Sequence, residues 1–145
     1  MTALALVDTN VLCYRYDARF PRKRERADEI LRAGLRDGTL RIPHQAIVEL
    51  VAALSRPTRG GGAPILPIAD ARREAEELLG QFEILYPTEA IVRMALRGAA
   101  AYQLGWFDAH LWAYAECGGV ELLLSEDFTH GRMIGSVEIR DPFRE

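Results

Sequence analysis

Leu4-Ala5-Leu6-Val7-Asp8-Thr9-Asn10 is the stretch on which the fold turns. Four apolar residues run unbroken and then stop at a turn-type cluster. This predicts a short buried strand over 4–7 that delivers Asp8 to its carboxyl end. The apolar opening Met1-Thr2-Ala3 leads into the same strand and carries no basic segment and no small-residue cleavage site, so it does not read as a signal peptide.

Downstream, helical and extended patterns alternate. Residues 22–36 have helical spacing, with Ala27, Ile30, Leu31 and Leu35 on one face and Gly38 as the stop. A brief strand is expected over 39–42. Pro43 then suits the first turn of a helix over 44–55, apolar on most sides and so expected to be buried. Residues 56–67, with three prolines and three consecutive glycines, read as a mobile loop. A charged helix over 68–79 and a strand over 82–85 follow. Thr88 is a good N-cap for a helix to about 103, broken at Gly105. Asp108 is expected to open a shorter helix to about 117. A fourth strand over 120–124, a loop over 125–131 and a fifth strand over 136–140 complete the pattern. This order predicts an α/β fold, a three-layer α/β/α sandwich on a mostly parallel sheet of about five strands, with residues 1–145 as a single domain.

In such sheets ligands sit beyond the carboxyl ends of the strands. Asp8 follows the first strand, and Asp127 follows Leu122-Leu123-Leu124, so both are expected on one rim. Alone, Asp8 could be a turn former or helix cap, and Asp127, in Ser125-Glu126-Asp127-Phe128, a polar turn. Asp108 could be an N-cap, although it shares a face with Leu111, Trp112 and Ala115 and so ends the buried stripe. Glu49 lies among Ala46, Ala52 and Ala53 in an apolar helix, where a carboxylate costs several kcal/mol unless it is paired or binds metal; a salt bridge to arginine is the plainer reading. Together the four acids say more. Clustered carboxylates repel unless a cation stands among them, and an all-oxygen donor set suits Mg²⁺ or Mn²⁺. Such an ion activates water and neutralises phosphate charge.

The rest of the composition narrows the classes. Apolar residues at 49% and charged residues at 27% describe a folded globular chain, and no apolar run approaches the roughly 20 residues of a membrane span. A cytoplasmic protein is expected. Cys13 and Cys117 lack metal spacing and are expected as buried free thiols, and His44, His110 and His130 lack zinc-type spacing. The net charge of −3 is unusual for a nucleic-acid binder. Basic residues nevertheless cluster near the N-terminus, where Arg15, Arg19 and Arg22, with Arg132 near the rim, are candidate phosphate ligands; a solvated helix face is the alternative. Arg59-Gly60-Gly61-Gly62 lacks the Gly-Lys-Ser/Thr ending and the preceding strand of a phosphate-binding loop. Trp106, Phe107, Trp112 and Tyr114 are read as core or dimer packing rather than base-stacking groups.

The pieces Val7-Asp8-Thr9-Asn10, Glu49 in its apolar helix, Trp106-Phe107-Asp108-Ala109, the run from Leu124 to Gly131 and the closing Ile139-Arg140-Asp141-Pro142-Phe143 resemble the PIN domain, in particular the VapC toxins of bacterial toxin–antitoxin pairs. The resemblance covers essentially the whole chain. It implies a five-stranded parallel sheet, a Mg²⁺- or Mn²⁺-dependent endoribonuclease, a homodimer, an RNA substrate such as tRNA or rRNA, and a cognate antitoxin protein that blocks the site. By motif, Asp8, Glu49 and Asp108 are implied metal ligands with Asp127 as the fourth acid, and Thr9, Asn10 and Ser125 orient them. Glu126 competes with Asp127, since only one can point inward from a given backbone; the following Phe128 favours Asp127. Two other classes remain: a catalytically silent PIN-like binding module, and an aspartate-based phosphotransfer protein. The latter is disfavoured because Asn10 stands where a phosphatase needs its second aspartate, and Lys23 is the only lysine.

Overall fold

The computed structural model describes residues 3–144; Met1, Thr2 and Glu145 lie outside the described residues. Strand β1 (Ala5–Val7) is buried at all three positions. Side chains alternate across a strand, so Ala5 and Val7 enter one apolar cluster and Leu6 the other. A strand covered on both faces belongs in a parallel sheet between helical layers.

That is the architecture found. After β1 come α1 (Thr9–Tyr14), α2 (Pro21–Asp37), β2 (Leu40–Pro43), α3 (His44–Ser55), α4 (Ile68–Gln81), β3 (Glu83–Leu85), α5 (Glu89–Tyr102), α6 (Trp106–Cys117), β4 (Leu122–Leu124), β5 (Met133–Ile134) and β6 (Val137–Arg140). The sheet order is β3-β2-β1-β4-β6-β5, parallel throughout except for β5, which runs antiparallel to β6. One face carries the first four helices over Val7, Leu31, Ile42, Leu50 and Leu78. The other carries α5 and α6 over Leu6, Trp112, Leu123 and Ile139.

The sheet has six strands rather than about five. The extra one, β5, is two residues long and folds back onto β6 through Gly135, at φ 58; a strand that short has no periodicity to read. Helix α1 occupies the turn-type cluster, because Asp8 and Thr9 there act as cap and first turn. The loop after α3 is ordered locally by a 3-10 turn at Arg59–Gly61, a bridge between Thr58 and Gly62, and the Leu66 N–H donating to the Leu54 carbonyl at 3.0 Å.

Three finer expectations are corrected. Leu35 is exposed, since the buried stripe of α2 runs through Ala27, Leu31 and Gly34. Helix α3 is buried on one side only and leaves Val48 exposed. Cys117 is an exposed thiol at the end of α6, and Cys13 is half-buried; neither is in a disulfide. Among the described residues no helix is long and apolar enough to cross a membrane.

Candidate metal centre

The sheet order reverses direction at β1: β2 and β3 extend to one side of it, β4 and β6 to the other. Such a switch point opens a crevice at the carboxyl ends of the two central strands. Val7 pairs with Leu124, and the Asp8 N–H donates to the Leu124 carbonyl at 3.0 Å, so Asp8 and Ser125 leave the sheet side by side.

Asp8 is the N-cap of α1 as well as a rim acid. Its Oδ1 accepts from the Thr9 N–H at 2.6 Å, and its Oδ2 accepts from the Ser125 hydroxyl at 2.6 Å. Ser125, wholly buried, also accepts from the Asn10 amide at 3.4 Å and from the Asp127 N–H at 3.1 Å. The Asn10 amide donates to Asp127 Oδ2 at 3.0 Å. One serine and one asparagine thus join the two carboxylates, and the Asn10 side-chain oxygen is itself buried without a hydrogen-bond partner.

Glu49 reaches the rim from α3. The Thr9 hydroxyl donates to its Oε2 at 2.8 Å and the Gln45 amide to its Oε1 at 3.0 Å. Asp108 lies in the first turn of α6, which begins at Trp106 with Gly105 as its cap. It is therefore not the N-cap, because the helix starts two residues earlier than its spacing suggested.

The electrostatics tie these groups together. Burial is the largest cause that pushes the Asp8 carboxyl up to about 6; the bonds from Ser125 and Thr9 oppose it, and the charges of Asp127 and Glu49 add to it. Burial first, then Asp127 and Glu49, also raise Asp108. Among the described residues, no Lys, Arg or His forms an ion pair with any of the four acids. The arginine salt bridge that would have explained Glu49 is absent from that set. Among the described residues no group of three or more acidic, histidine or cysteine side chains is drawn together closely enough to hold a metal ion as they stand; Asp8 and Asp127 are joined through Asn10 and Ser125, and Asp108 feels the charges of Asp127 and Glu49. A rim of hard oxygen donors with uncompensated charge fits a divalent ion such as Mg²⁺ or Mn²⁺.

The family model described as the PIN domain matches residues 5–133. The chain belongs to the PIN domain family.

Solved structures agree on the fold of this PIN domain. A DNA-bound VapBC complex from Salmonella typhimurium matches at TM-score 0.69 and 15% identity, covering 97% of this chain and 99% of that one. A toxin–antitoxin complex from Klebsiella pneumoniae matches at TM-score 0.69 and 18% identity, with 97% and 99% covered. A sarcin–ricin-loop-cleaving toxin from Mycobacterium tuberculosis matches at TM-score 0.60 and 16% identity, with 85% and 91% covered. No curated protein sequence matches the chain.

The arginines expected to hold phosphate are largely engaged in this PIN domain. Arg15 pairs with Asp28 at 3.4 Å, and Arg19 grips Asp17 through two guanidinium hydrogen bonds of 2.8 and 2.7 Å. Arg132 donates to the Tyr102 carbonyl at 3.0 Å. Arg22 lies beside Lys23, Arg26 and the 142–144 segment. Glu126 turns away from Asp8: it accepts from the Tyr14 hydroxyl and from Lys23 Nζ, the latter at 2.8 Å. Lys23 also stands 4.7 Å from the Tyr14 ring and 5.7 Å from that of Phe143. Glu126 is thereby an outward anchor of the loop whose next residue, Asp127, faces Asn10. Trp112 and Tyr114 are core residues, whereas Trp106 and Phe107 are exposed.

Sequence reasoning missed Arg56 and Arg59. Both line an open cleft of about 640 Å³ with Thr9, Asn10 and Tyr14. The available signal was the spacing of Arg56, seven residues after Glu49 and just past the end of α3.

Proposed function

We propose that this PIN domain is a Mg²⁺- or Mn²⁺-dependent endoribonuclease, the toxin of a toxin–antitoxin pair, with Asp8, Glu49, Asp108 and Asp127 as its metal ligands. The observation that carries this reading is the rim itself: four carboxylates from β1, α3, α6 and the segment after β4, with Asp8 and Asp108 raised first by burial and then by the charges of Asp127 and Glu49, and none paired with a cation among the described residues. A bound divalent ion supplies an activated water and neutralises charge on the phosphodiester. The protein's own part is orientation. Thr9 and Gln45 hold Glu49, Ser125 holds Asp8, and Asn10 links Asp8 to Asp127 across the crevice. The membership of the chain in the PIN family supports the chemistry. The toxin–antitoxin complexes among the structural neighbours support a cognate antitoxin protein, and the Mycobacterium toxin that cleaves the sarcin–ricin loop supports an RNA substrate, tRNA or rRNA. A homodimer acting in the cytoplasm, with the whole chain as one domain, completes the reading.

The test is cleavage of purified total RNA, tRNA and rRNA by antitoxin-free protein with Mg²⁺, Mn²⁺ or EDTA, beside growth on expression. Cutting that needs the metal and arrested growth support the reading. Intact RNA with metal-loaded protein, together with normal growth, would sink it.

Ser125→Ala removes the donor to Asp8 and the acceptor for both Asn10 and the Asp127 N–H. Expected are a loss of about 1–3 kcal/mol in urea unfolding and a metal affinity weaker by about 10–100-fold in titration calorimetry. An unchanged metal affinity would show that the serine does not organise the rim.

A further inference from the structure

The 640 Å³ cleft beside the acids contains two cations that the proposed chemistry has not used. We infer that Arg56 and Arg59 form a phosphate-binding subsite, which holds the RNA backbone a few nucleotides from the scissile bond as the strand leaves the acid rim.

The cleft is continuous with that rim. Thr9 and Asn10 form part of its wall, and the same side chains donate to Glu49 and Asp127. Glu49 and Ala53 lie on one face of α3, and Arg56 caps its C-terminus about 10 Å beyond Glu49 along the helix axis. Ala53, between them, leaves the path open. Arg59 follows on the 3-10 turn, which the bridge between Thr58 and Gly62 closes and which Gly60 and Gly61 permit at φ 78 and φ 79. The glycine run therefore serves to present an arginine side chain, not to cradle phosphate with its backbone.

Charge points the same way. Arg19, in the same cleft, is neutralised by Asp17, whereas among the described residues Arg56 and Arg59 are exposed and form no ion pair. A protein of net charge −3 with four bare acids at its rim repels RNA unless cations stand close by. Guanidinium groups bind phosphate oxygens in pairs and are suited to that task.

This inference rests on the ribonuclease reading, and its test separates the two. Binding of a fluorescent, unstructured RNA oligomer is followed by anisotropy across a salt series in Asp8→Asn protein, which keeps the cleft intact. Adding Arg56→Ala with Arg59→Ala should weaken affinity about tenfold and flatten the slope of log K against log salt by about 0.7 per lost contact. Arg56→Lys with Arg59→Lys should restore the slope. Arg93→Ala with Arg97→Ala, the same loss of two positive charges on α5 across the sheet, sets the baseline. In the active protein the alanine pair should raise KM and leave kcat near wild type. An affinity and slope equal to those of the α5 alanine pair would overturn the subsite even if RNA is cut. Loss of poly-glutamate binding with RNA binding intact would overturn it in favour of an acidic protein segment. Arginine-dependent RNA binding without any cleavage would uphold the subsite and remove the ribonuclease reading alone.

Discussion

Metal-free Asp8→Asn protein is expected to be more stable than the metal-free wild type at pH 8, and with Mg²⁺ present the variant should cleave RNA at least a thousandfold more slowly than the wild type. The stability change follows from the environment of Asp8. Its carboxyl rises from 3.8 to about 6 in the folded chain, chiefly through burial, which corresponds to about 2–3 kcal/mol after allowance for relaxation. The sign follows from linkage. Between about pH 4 and 6 the unfolded chain releases this proton while the folded chain still holds it, so wild-type stability falls as pH rises through that window. Above it the full penalty is present. Asparagine carries no charge, keeps an acceptor for the Thr9 N–H and can donate to Ser125. The variant's unfolding midpoint should therefore exceed the wild type's by about 5–10 °C at pH 8 in EDTA, with the difference vanishing near pH 4. Saturating Mg²⁺ should raise the wild-type midpoint and leave the variant's little changed. A thousandfold rate loss is about 4 kcal/mol of transition-state stabilisation, within what one metal ligand supplies. A variant less stable than wild type at pH 8 in EDTA would show that Asp8 is not held at a cost in the folded protein.

Trp112→Ala is expected to cost about 3–5 kcal/mol, comparable to a large part of a domain's stability. The ring is 2% exposed, its Nε1–H donates to the Ile134 carbonyl at 2.9 Å, and it meets Tyr102 edge-on with centroids 5.4 Å apart. It also lies so close to α5 that a Cβ at Gly98 would stand 2.2 Å from it. Truncation leaves a cavity between α5 and α6 and strips a carbonyl of β5 of its partner. Trp112→Phe keeps most of the volume and loses the hydrogen bond, so a smaller loss of about 1–2 kcal/mol is expected. Urea unfolding monitored by far-UV circular dichroism checks both; equal losses would mean that the hydrogen bond, not the packing, dominates. Because α6 also carries Asp108, the alanine variant should lose activity on warming well before the wild type does.

Much of the fold was legible because burial leaves a pattern in one dimension. The unbroken Leu4–Val7 run, the stripe of α2 and the glycine at its end follow from which faces must avoid water. Likewise, a carboxylate at the end of a buried strand is placed by chain order alone, which is why Asp8 and Asp127 could be expected on one rim. Helix α1 was not legible, since Asp, Thr and Asn favour turns and helix starts for the same reason: each bonds to nearby backbone. Strand β5 was too short to show any period.

The sequence by itself determined the alternation of strands and helices, the mostly parallel sheet and the two acids, Asp8 and Asp127, that chain order sends toward its carboxyl edge. Only the tertiary structure decided between Glu126 and Asp127 as the inward-facing side chain, because that depends on Tyr14 and Lys23, more than a hundred residues away in the chain, capturing Glu126. It also decided which arginines remain unpaired. Ion pairing is a matter of distance in space, so Arg15 and Arg19 meet their aspartates while Arg56 and Arg59 stay open to a cleft that exists only once α1 and α3 have packed together.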